Sequence, residues 1–176
     1  DAEQGGGGLA ALAGQFGGLA SMAGINLGGK GGVDKTQMAI EVMKSRQFTS
    51  AFMQSHNLLP DLMAIKSWNM ADNTVTYDDE IYLAADNKWI REVQAPFKPE
   101  PSMQEAFKEF SKRVAVNTDK ETGMVKITVE HLSPFIAQQW VNWLIQDINK
   151  VMKERDVAEA IKSTAFLESK IEKTNV

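Results

Sequence analysis

The chain has 176 residues, 43% hydrophobic and 24% charged, which supports one packed domain with an appended element. A net charge of −4 leaves no basic surplus to neutralise phosphates, which argues against a nucleic-acid binder. With no cysteine there is neither a disulfide framework nor a thiolate metal site.

Residues 1–33 are set apart by glycine, since 12 of the 13 glycines precede Val33. Gly5 to Gly29 carries no charge, so a membrane-inserted helix enters as an alternative. The pairs Gly14 and Gly18, and Gly24 and Gly28, would suit close helix packing. Each interior glycine costs a helix about 1 kcal/mol relative to alanine, however. The stretch therefore reads as a mobile segment with a weak helix from Leu9 to Ala23.

A base domain is expected over 34–132. Asp34, with Gln37 three residues on, forms a capping box that opens a helix. Met38, Ile40, Val42, Met43, Phe48, Ala51 and Phe52 supply its buried side, and Pro60 bars its extension. Thr74 to Tyr77 reads as a short strand, Asp78-Asp79-Glu80 as an acidic turn, and Pro96, Pro99 and Pro101 as a linker. Ser102 and Glu105 make a second capping box before a helix bearing Met103, Ala106, Phe107 and Phe110. Val114 to Asn117 and Met124 to His131 follow as a hairpin closed by Gly123, with Val125, Ile127 and Val129 on one face.

Ser133 then caps one continuous helix through Thr174, with Pro134 in its first position. At 1.5 Å per residue it is a rod of roughly 60 Å. From Phe135 to Met152 its apolar side is wide, including Ile136, Trp140, Val141, Trp143, Leu144, Ile145, Ile148 and Val151. That side needs a sheet or several helices over it. The anchor expected is Trp140 and Val141 against the hairpin face. Beyond Lys153 to Asp156 the apolar side narrows to Val157, Ile161, Ala165 or Leu167, and Ile171. The fold class is α+β, with a small α/β base holding a mixed or antiparallel sheet and residues 133–176 as a long projecting helix.

Four constellations bear on chemistry. Lys30-Gly31-Gly32-Val33-Asp34-Lys35-Thr36 fits a deviant phosphate loop, in which Lys35 would reach the outer phosphate and Thr36 would hold magnesium. It follows no buried strand, and Asp34 stands where that ATPase family has glycine, so ATP binding is not expected. His56 and His131 lie far apart with no cysteine to join them, and both are assigned structural or surface roles. Asp72, Asp78, Asp79 and Glu80 lack the spacing of a calcium loop. Trp140 and Trp143 have the rings to stack on sugars, but their apolar neighbours place them in the core. No catalytic, cofactor-binding or metal residue is assigned, and the chain does not read as an enzyme.

Thr122-Gly123 with the strand after it, Ser133-Pro134, Ala137, Trp140, Asn142, Leu144, Ile148-Asn149, Arg155, Ala160, Ser163 and Leu167 carry a family likeness. Ser45-Arg46, Phe48, Phe52, Leu58-Leu59-Pro60, Trp89 and Pro101 to Phe110 extend it upstream. In this order and spacing, over roughly residues 35–176, the chain resembles the polysaccharide co-polymerases, the O-antigen chain-length determinants of Gram-negative bacteria. The resemblance implies a periplasmic domain between two inner-membrane helices, with protomers assembled into a ring. It also implies a regulator that acts with the membrane O-antigen polymerase, and the growing lipid-linked polysaccharide as a further partner. The chain lacks an initiator methionine, both membrane helices and a helix returning to the base, so it is expected to be a piece of that larger protein. The alternatives are a P-loop ATPase fragment and a coiled-coil module of an envelope secretion system.

Overall fold

The computed structural model of the chain describes residues 31–174. Three helices come first: α1 (Gly31–Lys44), α2 (Arg46–Ser55) and α3 (Leu59–Met63). Strands β1 (Ile65–Asn69), β2 (Thr74–Tyr77), β3 (Tyr82–Leu83) and β4 (Lys88–Trp89) follow, then α4 (Met103–Arg113), β5 (Val114–Thr118), β6 (Val125–Val129) and α5 (Pro134–Thr174). This is an α+β chain with a long final helix. It divides into a larger compact unit, Ala39–Met152, and a smaller one that takes in the chain up to Met38 and from Lys153 onward. The weak helix expected over Leu9 to Ala23, and its membrane alternative, lie outside the described residues.

The first helical region departs from its expected form in three ways. Helix α1 already runs through Gly31, so Asp34 lies within it rather than at its cap. Adding a residue to an existing helix fixes one residue per hydrogen bond gained, which is enough to carry two glycines. Second, the helix stops at Ser45. The Ser45 hydroxyl donates to the Val42 carbonyl at 2.7 Å and accepts the Phe48 N–H at 3.2 Å, capping α2. Third, Pro60 does not bar a helix but sits in the first turn of α3, where a missing N–H costs nothing.

The core of the larger unit takes Ile40 and Met43 from α1, Phe48, Phe52 and Met53 from α2, and Leu62 from α3. Ala106 and Phe110 come from α4, Val116 from β5, and Trp140, Leu144 and Ile148 from α5. Four-residue steps keep the last three on one side of α5. Phe135 and Ile145, expected inside, are exposed. Each is five residues from Trp140, which at 100° per residue puts it about 140° round the helix. Met38 and Ala51 also face outward, so the buried stripe of the first helices is narrower than expected. Trp140 is wholly buried as expected, and its ring stacks on Phe110 of α4 at 6.0 Å. Val141 is half-buried, Ile127 and Val129 pack against the core from its edge, and Val125 is exposed. The anchor of α5 is therefore another helix more than the hairpin face.

The strands form three separate two-stranded antiparallel ribbons, β1–β2, β3–β4 and β5–β6, rather than one sheet. In the last, Val116 lies opposite Ile127. Its turn is built on Asp119, whose carboxylate accepts the Glu121 and Thr122 N–H groups at 2.9 Å each. Those donors, Thr122 first, hold the Asp119 carboxyl below the usual carboxylate range. Gly123, at φ +70, supplies the left-handed step that closes the turn.

The proline-rich connection has no regular structure and is held by Arg91. Its guanidinium donates to the carbonyls of Pro99 at 2.7 Å and Lys98 at 3.0 Å, and pairs with the Glu105 carboxylate at 2.8 Å. Glu105 also accepts the N–H and hydroxyl of Ser102, completing the expected capping box of α4. At the start of α5 the Ser133 hydroxyl accepts the Ile136 N–H at 3.3 Å and its carbonyl the Ala137 N–H at 3.0 Å, as expected of an N-cap. In the smaller unit Ile161 and Ile171 are 64% and 61% exposed. No described helix is long and apolar enough to cross a membrane.

Candidate functional site

The phosphate-loop string does not form a loop over its described part. From Gly31 to Thr36 the backbone is helical, so the residues that a phosphate loop would wrap around its anion are here the opening turns of a helix. Lys35 Nζ pairs with the Asp156 carboxylate at 3.0 Å.

The two histidines are both engaged. His56 ends α2, stacks on Trp143 with ring centroids 4.2 Å apart, and meets the Asp147 carboxylate through Nε2 at 3.0 Å. His131 Nδ1 accepts the Ser133 N–H at 3.1 Å, so its proton resides on Nε2, which donates to the Asp61 carbonyl at 3.0 Å. The imidazole thus ties the short helix α3 to the capped start of α5. Asp61 is held from a second side by the Tyr77 hydroxyl, which donates to its carboxylate at 2.6 Å. Burial first, and then the Asp61 carboxylate, push the Tyr77 phenol well above its ordinary value, so it stays a donor. No nucleophile–base pair of the kind used in covalent catalysis is formed by these groups.

The acidic run does not converge. Asp72 accepts the hydroxyl and N–H of Thr74, and the hydroxyl above all keeps its carboxyl low. Asp78 accepts the Glu80 N–H and lies 3.8 Å from Lys66. Among the described residues no three His, Asp or Glu side chains are placed to hold a metal ion. Neither tryptophan weighed for sugar stacking is free to do it, because Trp140 is wholly buried and Trp143 is covered by His56.

Several open hollows lie in the larger unit, and two of them bear on function. One, of about 770 Å³, runs between the β1–β2 ribbon and the turn after β3, with Tyr77, Tyr82 and Leu83 along it and Lys66, Asp79 and Asp86 at its margin. The other, of about 370 Å³, lies at the start of α5. Asn73, Gln138, Gln139 and Asn142 line it with amides and Phe135 with an aromatic ring. Trp68 stands beside it, 6.4 Å from the Phe135 ring, its indole N–H donating to Asn73 at 2.8 Å. Sequence reasoning missed this second group. Its one visible signal is that Leu132 to Asn149 carries a single charge, Asp147.

Comparison of the chain with protein-family models, with curated proteins and with solved structures finds no match.

Proposed function

We propose that this chain is the periplasmic part of an inner-membrane polysaccharide co-polymerase. In this reading it regulates the chain length of O-antigen or another surface polysaccharide with the membrane polymerase, as a ring of copies and without chemistry of its own. The observation that carries the reading is how the residues of the family likeness are used. Phe48, Phe52, Leu58, Phe110, Trp140, Leu144 and Ile148 are all buried, and Ser133 caps the long helix. Residues scattered over a hundred positions are thus spent on seating one long helix, which is the architecture the resemblance implies.

The ATPase alternative draws no support from the helical backbone of Gly31 to Thr36. The test is genetic and direct. Deleting the gene in a smooth strain that carries it should replace the modal cluster of O-polysaccharide bands on a gel with an unregulated ladder. An unchanged band distribution would refute the reading.

A further inference from the structure

The outward side of α5 is chemically unusual. Gln138, Gln139, Asn142, Gln146 and Asn149 all lie on it and all are exposed. At three- and four-residue steps they form a row rising about 5–6 Å at a time, on the scale of one sugar ring. All five side-chain amides are open to solvent. A solvated helix face of ordinary composition carries Lys, Glu and Arg; this one carries none between Leu132 and Asn149. At its upstream end the row opens into the 370 Å³ hollow, large enough for a small ligand. Phe135 is 55% exposed there, with Trp68 beside it.

We propose that this amide row, with the hollow it shares with Asn73 and Phe135, binds a glycan of low charge. Each amide offers a donor pair and an acceptor, matching hydroxyls that both give and take. The electron-rich face of an exposed ring suits the C–H side of a pyranose. A strongly anionic polymer would call for Lys or Arg, which the row lacks, and an apolar peptide would call for a groove without five exposed amides. The inference deepens the proposed function and rests on it only for the identity of the polymer.

Titration of the 176-residue chain by NMR tests it, with maltohexaose and with O-polysaccharide fragments released by mild acid as probes. Either probe should shift the Trp68 indole N–H and the side-chain amides of Gln138, Gln139 and Asn142, with millimolar dissociation constants. The double variant Q138A/N142A should lose the shifts, at least tenfold in affinity, while melting like the unaltered chain. No shift from either probe up to 20 mM would overturn the proposal, as would shifts confined to other surfaces. Equally, amide shifts that appear on concentrating the protein alone, and not with sugar, would assign the row to contact between copies and overturn it. Failure here is separable from failure of the functional reading. A deletion that alters the band ladder alongside a silent titration sinks only the glycan site, and an unchanged ladder alongside sugar-induced shifts sinks only the role in chain length.

Discussion

Trp140 offers the sharpest test of the core, because its ring and its N–H pull in opposite directions. The side chain is wholly buried between Phe110 and His131, yet its indole N–H has no hydrogen-bond partner among the described residues. Replacing it with alanine removes the whole ring and should cost about 3–5 kcal/mol. Replacing it with phenylalanine leaves a cavity of roughly 40 Å³, which at about 24 cal/mol per Å³ is worth about 1 kcal/mol. The same change removes a buried, unpaired donor whose desolvation costs about 1–3 kcal/mol. The two contributions offset, so Trp140→Phe should lie within about 1 kcal/mol of the unaltered chain. Urea unfolding followed by far-UV circular dichroism measures both variants, since fluorescence from the remaining tryptophans would confuse the comparison. A Trp140→Phe loss of 3 kcal/mol or more would mean that the N–H is bonded. Trp140→Ala unfolding at the unaltered midpoint would mean that this face of α5 is not core.

Arg91→Ala removes the ties to Pro99, Lys98 and Glu105 together and should cost about 2–3 kcal/mol by thermal melting; Arg91→Lys should recover less than half, because an ammonium cannot match the planar fork. Partial burial disfavours charge on Glu105, but the Ser102 N–H, the Arg91 guanidinium and the Ser102 hydroxyl outweigh it and hold the carboxyl below its usual range. A folded-state value below the unfolded one contributes stability above the unfolded value and loses it as pH falls through the folded one, so Glu105→Gln should lower the melting temperature at neutral pH and flatten its acid dependence. His131→Phe keeps a ring against Trp140 but strands the Ser133 N–H and the Asp61 carbonyl, and should cost about 2 kcal/mol in urea unfolding. On the proposed ring assembly, the double change I161D/L167D should leave melting of the larger unit within about 0.5 kcal/mol, as for exposed positions generally. It should lower the mass measured by light scattering, and an unchanged mass would refute an assembly role for that stripe.

What the sequence made legible were features whose cause is local. The cap at Ser133, the capping box of Ser102 and Glu105, and the turn at Gly123 each need only a few neighbouring residues, and each stands where expected. The break at Ser45 did not show, because Ser45 lies inside an apolar pattern that continues on both sides. Only the hydroxyl's bond back to Val42 discloses that the chain turns there. The hairpin of β5 and β6 was legible as well, because one short turn joins its strands; that the strands form three separate ribbons was not, since alternation marks which residues form strands but not which edges meet. For the site the gap has a different origin. Catalytic and metal-binding motifs are recognised by charged or nucleophilic residues at fixed spacings, and the phosphate-loop string had the spacing without the loop. The amide row has no such residues. Glutamine and asparagine pass as ordinary polar filler until a helix phase is known, and the phase is set by Trp140, Leu144 and Ile148 turning inward. Once those three are buried, 3.6 residues per turn leave Gln138, Asn142 and Gln146 facing away from them. The same packing that seats the long helix therefore determines which of its side chains remain available to a ligand, and the proposed glycan surface follows from the position of the core rather than from any motif of its own.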